Sequence, residues 1–315
     1  MIVASCPLRV SLFGGSTDSI EFVQKYRVGS VISFTPNLRT YVTISQDKFG
    51  ANGYDNRYVV NYSVREEVSS VDEISNDIVR LVLKHFDVEP IQISLTSDVY
   101  SHGSGLASSS SYVISMIKAV CIFKGIEMTD AEICSLAHSI ELMINPHCGY
   151  QDPYGCGISG FKMMNFFDNG RVTYEFLPTT IFNDYDFSLV FTGVTRSSTE
   201  ILKEIASNPE SSLPILDILD NAYDRLTNND NKGFVELIND SWAEKKKTSK
   251  DMVQNSMVKQ IDDYLTVNTG VLAHKLCGAG NGGFFLVASQ KNSLKIPHRH
   301  VNISLSVDGI KGGVA

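Results

Sequence analysis

A loop of glycine and serine directly before a long apolar run is the feature that most constrains the fold of this chain. The stretch reads GSGLASSSSYVISMIKAV over residues 103–120. Glycine lets the backbone come close to a ligand, and the first turn of a helix presents free N–H groups and the positive end of its dipole. This arrangement predicts an anion-binding loop, typically for phosphate, at the start of a buried helix.

Two common phosphate loops are excluded because residues they require are missing. No G-K-[ST] follows the glycines, so the stretch is not a Walker A loop. Gly103 and Gly105 lack a third glycine and an upstream βαβ unit, so it is not a dinucleotide-binding turn. Capping is an alternative reading of Ser108–Ser111, although four serines exceed what a cap needs. Two further glycine segments, PLRVSLFGGSTD at 7–18 and GAGNGGFFL at 278–286, could each be a tight turn when taken alone.

The composition is that of a globular protein with one large or two fused domains. The 315 residues are 43% hydrophobic and 20% charged, and the formal net charge of −8 argues against a nucleic-acid surface. No apolar segment reaches the ~20 residues of a membrane helix, and the N-terminus reads as a strand, not a signal peptide. None of the six cysteines forms a C-x-x-C pair, so reduced thiols in a cytoplasmic protein are expected.

The hydrophobic patterning predicts an α+β fold with two interleaved halves. β-branched and aromatic runs make the first third rich in strands, and a helix apolar on most sides follows the serines. Thr129 and Glu132 form a capping box for the next helix, which should end at Asn145 because proline follows. A hairpin is expected to turn at 168–170. Further helices are expected near 199–206, 213–227, 233–247 and 250–273, and a last strand over 300–309.

Two acidic residues are candidates for the chemistry of a phosphate site. Glu141 lies late on the capped helix between apolar neighbours, where a surface glutamate is less expected. Asp152 lies in the glycine-dense stretch CGYQDPYGCG, where it could also be an ordinary turn residue. A carboxylate facing a bound phosphate would either bind Mg²⁺ or orient and deprotonate an attacking hydroxyl.

The order and spacing of these segments resemble the GHMP kinases, the family of galacto-, homoserine, mevalonate and phosphomevalonate kinases. PLRVSLFGGSTD resembles the first motif of its sugar kinases, GSGLASSSS the G-L-G-S-S phosphate loop, and KLCGAGNGGFF the K-L-x-G-A-G-G-G-G-F motif. GYQDPYGCGISGF resembles the segment that holds the catalytic aspartate, and FTGVTRSSTEIL a segment of the sugar-1-kinase branch. The resemblance spans nearly the whole chain.

The resemblance implies a two-lobed GHMP kinase fold. A ribosomal protein S5 domain 2-like lobe would span residues 1–180 and hold the phosphate loop. A ferredoxin-like lobe with added helices would span residues 181–315. The active site would lie in the cleft between the lobes.

The resemblance also implies the roles of individual residues. Ser109 and Glu141 would bind Mg²⁺, which prefers such hard oxygen ligands. Asp152 would be the catalytic base or orienting group, and Arg9 would keep it ionised and offset charge in the transition state. The phosphates of ATP would be bound by Gly103, Ser104, Gly105, Leu106, Ala107, Ser108 and Ser109. The sugar would be bound by Gly15, Ser16, Thr17, Asp18, Gly149 and Arg196.

The first motif bears on the choice of sugar. Gly15 and Ser16 stand where galactokinases carry glutamate and histidine, which argues against galactose. The resemblance points to phosphorylation of the anomeric hydroxyl of D-glycero-D-manno-heptose 7-phosphate, with L-fucose or another hexose as the alternative. Arg196 is a candidate for holding the sugar phosphate. A structural role or a contact at the anomeric centre is the alternative, because fucose kinases carry a similar segment and fucose has no phosphate. Lys162 and Arg39 are weaker candidates and are expected at the surface.

Two positions depart from the family pattern. Ala107 replaces a glycine of the phosphate loop, which is tolerable if φ is negative there. Asn281 replaces a glycine of the third motif, and asparagine is the next-best residue for a positive φ.

A sensor of sugar or nucleotide with the kinase fold is the alternative from a different class. Such a protein would be expected to lose Asp152, Glu141 or Ser109, and all three are present. An enzyme is therefore favoured, acting on a small-molecule sugar or sugar phosphate as a monomer or homodimer. No nucleic-acid or membrane partner is expected.

Overall fold

The computed structural model describes residues 1–46, 56–100, 103–195, 199–250 and 252–315. The strands within these ranges are β1 (Ile2–Pro7), β2 (Val10–Phe13), β3 (Val28–Phe34), β4 (Arg39–Ser45), β5 (Tyr58–Asn61), β6 (Arg65–Val68), β7 (Gln92–Ser97), β8 (Phe161–Phe167), β9 (Val172–Phe176), β10 (Tyr185–Phe191), β11 (Ala273–Leu276), β12 (Phe284–Gln290), β13 (His300–Ile303) and β14 (Lys311–Val314). The helices are α1 (Ile20–Tyr26), α2 (Asp77–His85), α3 (Ser108–Lys124), α4 (Asp130–Ile144), α5 (Gln151–Gly157), α6 (Ile181–Asp184), α7 (Thr199–Ser207), α8 (Leu213–Thr227), α9 (Asn231–Lys247) and α10 (Ser256–Val267). No helix in the described ranges is long and apolar enough to cross a membrane.

A six-stranded sheet forms most of the first lobe. Its strand order is β14-β1-β4-β7-β5-β6, and the neighbours are antiparallel except for the parallel pair β5 and β7. The helix α3 packs across β1 and β4 and is buried because it is apolar on most sides. Its Ser111 donates to the carbonyl of Cys6 at 2.9 Å and lies 2.7 Å from the hydroxyl of Thr40. These bonds satisfy a polar group in the core and fix the start of α3 on the sheet.

A second sheet has the order β2-β3-β8-β9, and β2 lies within the first glycine motif. The predicted hairpin at residues 168–170 joins β8 and β9. The expectation that Lys162 lies at the surface is wrong. It shares the inward face of β8 with Met164 and Phe166, since side chains alternate along a strand. Lys162 is therefore buried, and its Nζ donates to the carbonyl of Gly155 at 3.0 Å.

The C-terminal lobe is built on a four-stranded antiparallel sheet with the order β11-β12-β10-β13. Helices α7 to α10 lie between β10 and β11 in the chain, and α9 packs on β11 and on α8. Residues 291–299, which join β12 to β13, contain turns and no helix. This arrangement confirms the predicted two-lobed α+β fold with helices added to the second lobe.

The chain ends in the first lobe. The predicted last strand over 300–309 is β13, which stops at Ile303, and β14 follows it. β14 pairs antiparallel with β1, with Val314 opposite Ile2 and Lys311 opposite Ser5. Residues 311–314 therefore belong to the six-stranded sheet, and the division of the chain after residue 180 remains a prediction.

The helix boundaries agree with the sequence patterns where capping residues are present. Thr129 Oγ1 accepts from Glu132 N at 3.3 Å and the Glu132 carboxylate accepts from Thr129 N at 2.8 Å, so the capping box of α4 is confirmed. That helix ends before Asn145, as predicted. The helix expected over 250–273 is shorter in the structure. α10 begins after Asn255, whose side chain caps it, and β11 occupies the end of the expected range. The short helices α1 and α5 were not predicted, because they carry too few residues for a helical period.

Candidate active site

The glycine and serine loop reverses direction through three residues with positive φ before it enters α3. The angle is 61° at Gly103, 76° at Gly105 and 59° at Ala107. The first hydrogen bond of α3 runs from Ser111 N to Ala107 O at 3.0 Å. The amides of the preceding turn therefore point out of the helix end, where an anion would meet them. The loop over 103–109 has the backbone geometry of a phosphate site.

Ala107 adopts a backbone conformation that side chains disfavour. Alanine was expected to be tolerated here only with a negative φ, and the φ of +59° contradicts that expectation. A left-handed conformation costs roughly 1–2 kcal/mol for a residue with a Cβ. Ala107 is also the N-cap of α3 and supplies no side-chain hydrogen bond to the helix. The loop therefore carries local strain that the buried surroundings of Ala107 hold in place.

We expect Ala107→Gly to stabilise the protein by about 1 kcal/mol, because glycine adopts a positive φ without steric cost. The melting temperature should rise by roughly 2 °C. The matched control is Ala119→Gly in the buried middle of the same helix, which should lower stability by about 1 kcal/mol. Thermal unfolding of both variants tests the expectation. A lower melting temperature for Ala107→Gly would contradict it.

The third glycine motif packs directly on the phosphate loop. A Cβ on Gly278 would lie 2.5 Å from the Cα of Gly105, and one on Gly283 would lie 2.4 Å from the carbonyl oxygen of Ser104. Phe284 N donates to that same carbonyl at 3.2 Å. Asn281 has a φ of 56°, so the expected positive φ is confirmed. The two lobes therefore meet at a contact between backbones that leaves no room for side chains.

Glu141 projects from α4 towards the start of α3. It is only 7% exposed, and both of its carboxylate oxygens accept from Ser110 Oγ at 2.7 Å. Burial and then the charge of Asp152 raise the pKa of Glu141 to about 8, against the opposing effect of hydrogen bonds from Ser110 and Ser109. Ser109, predicted to share a metal with Glu141, is exposed at the start of α3.

These groups fit Mg²⁺. The ion favours hard oxygen donors and is usually held by one or two carboxylates together with substrate phosphates and water. A buried carboxyl with a raised pKa would be stabilised in its ionised form by a neighbouring cation. In the described part of the chain, no group of three or more His, Cys, Asp or Glu side chains could hold a metal without further ligands. Phosphate oxygens of a nucleotide would have to complete the coordination.

Arg9 links the phosphate loop to Asp152. Its Nε and Nη2 atoms donate to Asp152 Oδ1 at 3.0 and 2.6 Å, and its Nη1 donates to the carbonyl of Gly105 at 2.7 Å. The Arg9 side chain is 4% exposed, whereas the Asp152 side chain is 38% exposed. Arg9 therefore holds one carboxylate oxygen of Asp152, and the rest of the Asp152 side chain remains accessible to solvent. The sequence-based pairing of these two residues is present in the structure.

Asp18 is buried against the segment that precedes Asp152. Its Oδ1 accepts from Gln151 Nε2 at 2.7 Å and from Ser16 N at 3.2 Å, and its Oδ2 accepts from Gln151 N at 3.0 Å. Burial raises the pKa of Asp18 to about 6, while the hydrogen bond from the Gln151 amide lowers it. A Cβ on Gly149 would lie 2.0 Å from Asp18 Oδ2, so glycine is required there. Asp18 thus contacts Gly149 and Gln151, the residue that directly precedes Asp152.

The other predicted sugar-binding residues lie in different surroundings. Thr17 is fully buried and its hydroxyl donates to the carbonyls of Gly14 and Ser30, at 2.8 and 2.9 Å, which gives it a structural position. Ser16 has a φ of 83° and, with Gly15, forms the turn before Asp18. Arg196 lies outside the described residues.

Two residues of the site were not predicted from the sequence. Ser110 makes the hydrogen bonds to Glu141, and Gln151 makes two of the bonds to Asp18. Ser110 is one of four consecutive serines, and the sequence does not indicate which of them contacts Glu141. Gln151 adjoins Asp152 in the chain, and its neighbourhood alone could have drawn attention to it.

Known proteins are similar to this chain in sequence and in fold. The family profile described as GHMP kinases N terminal domain matches residues 73–160. The D-glycero-alpha-D-manno-heptose 7-phosphate kinase of Campylobacter jejuni is 30% identical over 301 residues, with 88% of this chain and 86% of that protein covered. The crystal structure of a D-glycero-D-manno-heptose 1-phosphate kinase from Bacteroides thetaiotaomicron has a TM-score of 0.76 at 20% identity and covers 100% of this chain and 99% of that one. Galactokinase of Lactococcus lactis, complexed with galactose, has a TM-score of 0.74 at 14% identity and covers 98% of this chain and 95% of that one.

Two lobes that meet at glycine-rich loops, with an arginine and an aspartate at the junction, define a kinase of the two-lobed α+β class. The chain belongs to the GHMP kinase family. The predicted family and the predicted type of enzyme are confirmed.

Proposed function

We propose that this kinase transfers the terminal phosphoryl group of ATP, with Mg²⁺, to the anomeric hydroxyl of D-glycero-D-manno-heptose 7-phosphate. The observation that carries the proposal is the double contact of Arg9, which bonds both Gly105 in the phosphate loop and Asp152. The Arg9 side chain thus contacts both the loop that would bind phosphate and the residue that would act as base. Proximity of this kind supplies most of the catalysis in phosphoryl transfer.

The nucleotide would be held by the loop over 103–109. The amides of the first turn of α3 and the positive end of the helix would face the phosphate oxygens. Ser104 Oγ lies 2.9 Å from Ser108 Oγ and accepts from Leu106 N at 3.2 Å. These hydrogen bonds within the loop stabilise its conformation without a ligand. Glu141, Ser109 and Ser110 would hold Mg²⁺, which would neutralise charge on the phosphates.

Asp152 would orient the acceptor hydroxyl and take its proton. The oxygen of that hydroxyl forms the new bond to phosphorus while the bond to the bridging oxygen of ADP breaks, so ADP leaves as the phosphoryl group passes to the sugar. The contacts from Arg9 occupy Asp152 Oδ1, which leaves Oδ2 as the oxygen available to the substrate. The guanidinium also counters the negative charge that gathers around the transferred group.

The choice of a heptose phosphate rests on similarity and on the first motif. The relative from Campylobacter jejuni bears the name of a heptose 7-phosphate kinase, and Gly15 and Ser16 replace the residues that mark galactokinases. A phosphorylated sugar needs a cation at its far end, and Arg196 remains the candidate for it. L-fucose or another hexose is the alternative substrate. All six cysteines are free thiols, which fits action in the cytoplasm.

Asp152→Asn should lower kcat by at least a thousandfold while Mg·ATP still binds, because asparagine keeps the shape but cannot accept the hydroxyl proton. Phosphorylation assays and calorimetric titration of a nucleotide analogue measure the two quantities. Asp168→Asn, which alters an exposed ion pair with Arg27 at the hairpin turn, is the matched control and should leave kcat unchanged. Activity of Asp152→Asn within tenfold of the parent would refute the assigned role.

The substrate is tested by measuring ADP release with a panel of sugars. D-glycero-D-manno-heptose 7-phosphate should give the highest kcat/KM, and the same heptose without its phosphate should lose at least tenfold, mainly through KM. L-fucose, galactose, mannose and N-acetylhexosamines complete the panel. A higher kcat/KM for L-fucose would establish the alternative, and no ADP release with any sugar would favour the sensor.

A further inference from the structure

The helix that carries Asp152 is too short to be stable without contacts from the rest of the protein. α5 has only seven residues, Gln151–Gly157, and two of them are glycines. An isolated helix of this length is not stable in water, and each internal glycine costs about 1 kcal/mol relative to alanine. Its N-cap, Tyr150, makes no side-chain hydrogen bond to the helix. The position of Asp152 must therefore be set by groups outside α5.

Asp18 provides one of these groups at the beginning of α5. The first amide of the helix, Gln151 N, donates to Asp18 Oδ2 at 3.0 Å, and the preceding amide, Tyr150 N, donates to the carbonyl of Asp18 at 3.2 Å. The Gln151 side chain donates to Oδ1 at 2.7 Å. Asp18 therefore caps α5 from a position 133 residues away in the chain. Its negative charge also suits the positive end of the helix.

The carboxylate of Asp18 is largely used by these contacts. It is 3% exposed and accepts three hydrogen bonds, from Ser16 N and from the backbone and side chain of Gln151. The sequence-based role of Asp18, direct hydrogen bonding to sugar hydroxyls, requires oxygen lone pairs that point to the cleft. The observed contacts favour a role in which Asp18 acts through α5 instead.

Lys162 provides the second group, near the end of α5. Its Nζ donates to the carbonyl of Gly155, one of the last four carbonyls of the helix, which lack partners within it. A positive charge suits this negative end of the dipole. The titratable groups that face the ammonium are the thiols of Cys6, Cys134 and Cys156, whose pKa values are all raised by burial. Burial lowers the pKa of Lys162 to about 8, so the ammonium is still mostly protonated at pH 7, and its one hydrogen bond in the described structure goes to α5.

The sides of α5 pack closely on α4 and on Arg9. A Cβ on Gly157 would lie 2.1 Å from the sulfur of Cys134 on α4, and one on Gly155 would lie 3.2 Å from Cγ of Arg9. The two glycines let the helix approach α4 and the aliphatic part of Arg9 closely. The same Arg9 bonds Asp152 with its guanidinium. The helix is therefore held at both ends and along its sides.

We propose that Asp18 and Lys162 are positioning residues that clamp α5 between them and thereby set the place of the Asp152 carboxylate. Neither touches the reacting atoms. The inference deepens the proposed function and rests on it, because it assigns Asp152 the role of orienting the acceptor. It replaces the role of Asp18 as a direct ligand of the sugar.

The kinetic test uses Asp18→Asn and Lys162→Met in the full-length protein. The first substitution would turn an amide donor towards the donors of Gln151, and the second would leave the Gly155 carbonyl without its bond. Each variant should lower kcat by about 10- to 100-fold, because a displacement of roughly 1 Å at the reacting centre costs this much. The KM values for sugar and ATP should stay within about threefold. The double variant should lose less than the product of the single losses, because both act on one helix.

Hydrogen exchange gives a readout that does not depend on the substrate. The amides of 151–157 should exchange at least tenfold faster in Asp18→Asn and in Lys162→Met than in the parent, while the amides of α3 stay unchanged. If Lys162→Met does not fold, exchange over 151–157 in Asp18→Asn alone decides the test. Unchanged exchange over 151–157 in both variants would overturn the clamp.

The control variant is Asp262→Asn in the C-terminal lobe. Asp262 is also buried and accepts from Trp242 Nε1 at 2.7 Å, His274 Nε2 at 2.9 Å and Lys246 Nζ at 3.0 Å, but it does not contact α5. It should lose stability with kcat and the exchange of 151–157 unchanged. A raised KM for sugar with normal kcat in Asp18→Asn would overturn the inference and restore the direct sugar contact. Failure of the proposed function is separate, since the parent itself would then phosphorylate none of the sugars.

Discussion

The structure depends on a buried guanidinium that two parts of the chain share. Arg9 follows β1, and its guanidinium donates to the carbonyl of Gly105 and to Asp152. Its backbone amide donates to the carbonyl of Leu106 at 3.1 Å, which anchors the residue to the same loop. A buried cation is costly unless it is paired and hydrogen-bonded, and these partners meet that requirement. The phosphate loop and α5 cannot separate without leaving the charge of Arg9 unpaired. Folding therefore fixes the position of the glycine and serine loop relative to α5.

Glycine makes the junction of the lobes possible. Gly278 and Gly283 let the third motif rest on the backbone of the phosphate loop, at distances where any Cβ would collide. Lys275 strengthens this junction, because its buried Nζ donates to the carbonyl of Leu12 in the first motif at 2.5 Å. The three motifs lie far apart in sequence and meet at one place. The glycines of the second and third motifs serve this contact, whereas Gly14 packs on Ser30 and Leu219.

Much of the fold could be predicted because local chemistry determines it. The capping box at Thr129, the hairpin over 168–170 and the positive φ at Asn281 follow from short-range rules, and the structure agrees. The errors have a different origin. Lys162 is buried and Ala107 is left-handed because distant parts of the chain surround them, and no local pattern records those neighbours.

The candidate site shows the same limit. The sequence pattern singled out Glu141 and Asp152, and family resemblance added Arg9; the structure places Arg9 against Asp152, and Glu141 against Ser110 at the start of α3. The sequence did not reveal that Asp18 bonds the first amide of α5 or that Ser110 bonds Glu141, since both contacts depend on tertiary packing. Residues that hydrogen-bond to a site residue are harder to predict than the site residue itself, because their residue type does not reveal which group they contact.

The most direct test is a crystal structure with a non-hydrolysable Mg·ATP analogue and D-glycero-D-manno-heptose 7-phosphate. The account predicts the terminal phosphate against the amides of 103–109 and the anomeric oxygen of the sugar within roughly 3 Å of Asp152 Oδ2. A nucleotide bound elsewhere, or an anomeric oxygen on the far side of the cleft from Asp152, would contradict it.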